Sequence, residues 1–92
     1  MANGHGAHAE GNSSQAIADY AHAEGKSIAS GIYSHSEGID TTASKAYSHA
    51  EGNGSVASGD QSHAEGYLTT ASGSCSHAEG SQTIASNYYS HA

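Results

Sequence analysis

Proline, phenylalanine and tryptophan are absent from this chain, and Lys26 and Lys45 are its only basic residues besides histidine. After Met1 the large aliphatic residues are Ile17, Ile28, Ile32, Ile39, Val56, Leu68 and Ile84, and most of the remaining apolar content is alanine. Fully buried, those side chains would contribute on the order of 10–20 kcal/mol. Fixing the backbone costs about 1–2 kcal/mol per residue, so an ordinary hydrophobic core is excluded. Low hydrophobicity and a formal charge of −7 over 92 residues leave two states open: disorder, or folding as part of an assembly.

The lack of positive charge leaves no electrostatic footprint for nucleic acid or an anionic membrane, and neither is expected as a partner. No run of about twenty apolar residues reads as a membrane span, and no leader peptide is visible. Cys75, the single cysteine, cannot close an internal disulfide and reads as a variable surface residue.

What the chain does have is a repeat, which argues against disorder. The phrase Ser-His-Ala-Glu-Gly recurs at residues 48–52, 62–66 and 76–80. The histidines His8, His22, His35, His49, His63, His77 and His91 are spaced 14, 13, 14, 14, 14 and 14 residues apart. A fixed short period marks stacked identical units. Each unit has two similar halves, an alternating stretch closed by a corner, and so reads as two short strands. Glycine fills the first corner at Gly11, Gly25, Gly38, Gly52, Gly66 and Gly80. The second corner, with Gly31, Gly59, Gly73, Asn87 and Lys45, suggests a position of positive φ. The 13-residue unit loses a residue between Gly25 and Ser27, inside a corner. The register of the first unit around Gln15 to Asp19 is left open.

Strand alternation sorts the columns. One face carries Ala9, Ala23, Ser36, Ala50, Ala64 and Ala78 in the first half, and Ala29, Ala43, Ala57, Ala71 and Ala85 in the second. Residues this small face each other only inside a very thin parallel β-roll, a solenoid of about six coils stacked at about 4.8 Å into a rod on the order of 30 Å long. The opposite face carries His8, Glu10, His22, Glu24, His35, Glu37, His49, Glu51, His63, Glu65, His77, Glu79 and His91. Residues 1–7 form an N-terminal edge and residues 8–92 the single repeat domain. Ending inside a repeat, the chain reads as a segment of a longer fibre.

Residues 55–66, Ser-Val-Ala-Ser-Gly-Asp-Gln-Ser-His-Ala-Glu-Gly, and 69–80, Thr-Thr-Ala-Ser-Gly-Ser-Cys-Ser-His-Ala-Glu-Gly, resemble the repeats of YadA-like heads. Those heads belong to trimeric autotransporter adhesins; similar repeats occur in phage tail and appendage fibres. The resemblance implies an all-β, left-handed parallel β-roll assembled side by side as a homotrimer. It further implies a structural and adhesive segment of a cell-surface fibre, anchored through its parent protein in the outer membrane or envelope, that attaches to extracellular matrix protein or glycan.

In that family one strand turns two large apolar residues to the trimer axis, and this chain admits two alignments with it. Either Ile28, Val56 and Ile84 face the axis, or the His/Glu strand replaces the apolar one as a polar interface. Burial of carboxylates opposes the second; the uniformity of both columns favours it, and it is the expectation adopted. Histidine against a carboxylate at the axis is then expected to have a raised pKa.

Tyr20, Tyr33, Tyr47 and Tyr89 recur two residues before histidine, as corner packing or as a candidate ligand stripe. The His and Glu columns describe a ladder along a rod rather than one closed ligand set, so no metal or other cofactor is expected. Thr41-Thr42 and Thr69-Thr70 suggest an ice-binding array but occur in only some coils. Ser and His at neighbouring strand positions point to opposite faces, which opposes a hydrolase, and no enzyme activity is expected.

Overall fold

Alternation makes each half-unit a strand, and the period sets the strands one above another. In the computed structural model, which describes residues 1–92 throughout, ten strands and no helix make a parallel β-solenoid of about six turns. The first halves supply β1 (His8–Glu10), the leading parts of β3 (His22–Ala29) and β4 (His35–Ala43), then β5 (His49–Asn53), β7 (His63–Tyr67) and β9 (His77–Ser81). The second halves supply β2 (Gln15–Ala16), the trailing parts of β3 and β4, then β6 (Val56–Ala57), β8 (Thr70–Ala71) and β10 (Ile84–Ala85).

Two parallel ladders result. Along one, histidine pairs with histidine and glutamate with glutamate from β1 to β9. Along the other, Gln15, Ile28, Thr42, Val56, Thr70 and Ile84 fall in line beside a continuous alanine row. The short unit is absorbed at the corner. Lys26 lies opposite Ile39 and Ser27 opposite Thr41, so Asp40 has no counterpart and the ladder resumes in step.

The Cα envelope measures 31 × 20 × 9 Å. The first dimension is the length of the coil stack; the last explains the composition. Sheets packed through ordinary side chains stand about 10 Å apart in full, whereas here the whole body is 9 Å thick between outer Cα positions. Every buried hydrophobic residue is accordingly an alanine: Ala16, Ala21, Ala23, Ala29, Ala43, Ala50, Ala57, Ala64, Ala71, Ala78 and Ala85. Ala9, on the open first coil, is only partly covered.

Serine and threonine complete the interior, and apart from Ser14 in the first coil their hydroxyls find partners, as buried polar groups require. Ser36 replaces alanine in its coil and lies 2.8 Å from Thr41 Oγ1. Ser55 donates to the Gly66 carbonyl, and Thr69 donates to Ser55, each at 3.0 Å. Ser62 and Ser76 donate to the carbonyls of Gly59 and Gly73, at 2.7 and 2.6 Å.

The second corner corrects the sequence reading. Positive φ falls two residues beyond Gly31, Lys45, Gly59, Gly73 and Asn87. It falls on Tyr33, Tyr47, Gln61, Cys75 and Tyr89, with Tyr20 in the same column, all at φ between 59 and 61°. The N–H groups of Ser34, Ser48, Ser62 and Ser76 donate to the carbonyls of Gly31, Lys45, Gly59 and Gly73 at 3.1 to 3.2 Å. These are β-turns with positive φ at the third residue, the sign pattern of type II. What favours glycine at the first turn position is space, since a Cβ on Gly59 would lie 2.2 Å from the Gly73 oxygen. Nothing in the geometry accounts for Lys45 in the same row.

Residues 1–7 carry the stacking half a coil past the first histidine. Ala2 bridges to Ala16, and the N–H groups of Ala16 and Tyr20 donate to the carbonyls of Met1 and His5 at 2.7 and 2.9 Å. Pairing of Gln15 and Ala16 with Ile28 and Ala29 settles the register of the first unit.

Candidate functional site: a histidine and glutamate ladder

In-register pairing of β1, β3, β4, β5, β7 and β9 places each outward histidine over the next. From His8 to His91 the ring centroids stand 4.5 to 4.8 Å apart, with planes within 9° of parallel. That separation is the strand spacing itself, so the backbone imposes the stack. Glutamate, two residues on, projects from the same face.

Each imidazole Nε2 from His8 to His77 faces the carboxylate of its own coil. His8–Glu10, His22–Glu24, His35–Glu37, His49–Glu51, His63–Glu65 and His77–Glu79 lie 3.6, 3.5, 3.7, 3.6, 3.7 and 3.8 Å apart. Further along the rod Nε2 also meets the glutamate of the preceding coil: His63–Glu51 at 3.6 Å, His77–Glu65 at 3.4 Å and His91–Glu79 at 3.4 Å. Only the last two reach hydrogen-bonding distance; the rest are too long. The Nε2 atoms of His22, His35, His49 and His63 are shielded from solvent with no hydrogen-bond partner, although their rings remain about a third exposed. The contact to the preceding coil was not foreseen from the sequence. Its signal is a His–Glu separation of 12 residues, the period less the two residues that separate the partners within a coil.

Burial lowers the pKa of His49, helped by the neighbouring His63 and His35 and opposed by Glu37 and Glu65. Burial also lowers that of His63, where Glu65 and Glu79 oppose and His77 assists. Glu65 is lowered to about 2, first by the Glu51 and Glu79 carboxyls, which donate to its charged form only while they themselves hold a proton, with His77 at 3.4 Å and the charge of His63 adding. Within a single chain, therefore, the expected rise in histidine pKa is reversed at these two positions. A shielded ring between like neighbours loses more than its carboxylates return.

The other columns take clear positions. Tyr20, Tyr33 and Tyr47 stack at centroid distances of 5.0 and 5.3 Å on the turn edge, half-exposed, with faces turned to one another and edges outward. Gln61 and Cys75 interrupt the column before Tyr89, and Cys75 Sγ lies 3.3 Å from Gln61 Oε1. Gly11, Gly25, Gly38, Gly66 and Gly80 line shallow grooves beside the glutamates, and Gly52 stacks in the same row. The threonine pairs divide: Thr41 and Thr69 point inward and are buried, leaving Thr42 and Thr70 outside, two coils apart. No regular outward threonine array forms.

Fold and face together define the class, a thin parallel β-solenoid carrying a continuous polar ladder on one flat side. In comparisons with known proteins, no protein-family model and no curated protein matches the chain.

Proposed function

We propose that this chain is a structural and adhesive segment of a homotrimeric surface fibre, with the His/Glu face turned towards two sister chains and the parent protein anchored in the cell envelope. The observation that carries the reading is the 9 Å thickness of a body whose buried residues are only alanine, serine, threonine and glycine. Such a roll removes little apolar surface from water by itself, so a stable rod gains from lateral neighbours. The uniform ladder supplies a flat, repetitive surface for them. The imidazole edges and carboxylates of the ladder, still about a third exposed, are surfaces that a neighbouring chain would cover.

Its work is mechanical and presentational. The edges, with Tyr20, Tyr33 and Tyr47 on one side and Ile39, Tyr67 and Leu68 on the other, stay outward and offer surface for matrix protein or glycan. The resemblance to YadA-like heads supports the same assembly, and the ladder serves cohesion rather than catalysis. Molar mass by light scattering tests it. Three chains per particle is the expected result, and a folded monomer at micromolar concentration would overturn the proposal.

A further inference from the structure

The ladder has a second reading, independent of oligomeric state. The ligand atoms of His22, Glu24 and His35 all lie within 4.8 Å of one another, as do those of His49, Glu51 and His63, and the series repeats along the rod. Imidazole and carboxylate oxygen are ligands for zinc and its neighbours. Zinc bonds of about 2.0–2.2 Å in a tetrahedron place two donors about 3.4 Å apart. The Nε2–Oε separations of 3.4 to 3.8 Å run from the outer limit of a hydrogen bond to beyond it, and are close to that tetrahedral edge. Four Nε2 atoms are shielded and unpartnered, and they point at the carboxylates that would share an ion with them. The rings are stacked within 3 to 4° of parallel, so both imidazoles of a rung must turn out of the stack to bring a shared ion into their own planes, a rotation about χ2, whose well is broad for histidine.

We propose that each His–Glu–His rung is a binding site for a divalent ion of the zinc class, and that the rungs fill alternately. Along the sequence alone a ladder does not make a closed ligand set. The structure makes each rung a set of three donors, with water or a neighbouring group completing the sphere. Consecutive rungs share a histidine, so filling one empties the next of a ligand. Ions on consecutive rungs would also stand only about one strand spacing, some 4.8 Å, apart and repel. The seven ladder histidines, all but His5 of the chain's eight, taken two at a time hold about three ions per chain.

Alternate filling predicts a dependence on position parity that adventitious surface binding lacks. His49 is fourth in the row, and its loss leaves two runs of three histidines, each able to hold one ion. His63 is fifth, and its loss leaves runs of four and two, which still hold three ions between them. The full chain and the His49→Asn and His63→Asn variants are equilibrated with zinc, dialysed and counted by elemental analysis, with circular dichroism to show that each is folded. The expected counts are about three, two and three ions per chain. Cobalt in place of zinc should give the intense visible absorption of four-coordination. Should either variant fail to fold, His22→Asn and His35→Asn repeat the comparison, with counts of about two and three. A wild-type chain that retains no zinc, or equal losses from the two variants, would overturn the proposal.

Discussion

Replacing Gly66 by alanine tests the stacking principle at its tightest point. Gly66 lies at φ 113°, and a Cβ there would stand 2.0 Å from the carbonyl oxygen of Gly80 in the next coil. The backbone strain alone costs about 1–3 kcal/mol. The overlap cannot be relieved by a side-chain rotation, because the obstructing atom is backbone, so neighbouring coils must part and weaken their ladder hydrogen bonds at about 1 kcal/mol each. The combined loss is about 3 kcal/mol or more, against a stability of about 5–14 kcal/mol for a chain of this length. At about 4–8 °C per kcal/mol the midpoint should fall by roughly 12–24 °C.

Gly80 supplies the internal control. It has nearly the same backbone, φ 105°, but its added Cβ would meet only the Thr83 methyl at 3.7 Å. Gly80→Ala should therefore show the strain component alone, roughly 4–24 °C and in any case less than Gly66→Ala, because no ladder hydrogen bond is weakened. Thermal unfolding followed by circular dichroism on both variants measures the difference. Equal losses would refute the claim that coil-on-coil contact, rather than φ, sets the requirement for glycine in this row.

Acid should destabilise the fold in two windows. The lowered folded pKa of His49 and His63 means the unfolded chain takes up protons first, so stability present above their ordinary value of 6.5 is lost as pH falls below it. Glu65 then contributes stability that is lost as pH falls from its ordinary 4.5 towards about 2. Full protonation adds repulsion between stacked rings, about 1 kcal/mol per adjacent pair even in water. A melting temperature flat from pH 4 to 8 would contradict this, and the histidine assignments can be checked by NMR titration. Ala64→Val, at a fully buried site, should cost about 1–3 kcal/mol by overpacking, whereas Thr70→Val on the outer face should be close to neutral in the same denaturation assay. Cys75→Gly relieves an exposed non-glycine residue at φ 60° and should raise stability by about 0.5–1 kcal/mol, measured as the urea midpoint.

Much of this molecule was determined by the sequence alone. In a solenoid, residues one period apart must stack, so the 14-residue spacing sets register as well as repetition. The size of the alanine column sets the thickness. Even the missing residue between Gly25 and Ser27 could be placed, because a corner tolerates a deletion that a ladder does not. The sign of φ at the second corner was not legible: glycine enrichment at Gly31, Gly59 and Gly73 reflected the approach of the next coil's carbonyl, while the turn put its positive φ on the tyrosine column. Only the tertiary structure decided that the Nε2 atoms sit 3.4 to 3.8 Å from carboxylates of their own coil and, further along the rod, of the preceding one. Only it decided that shielding outweighs those carboxylates at His49 and His63. Alternation says which face a side chain takes, but distances and desolvation on that face arise from neighbours a full coil away.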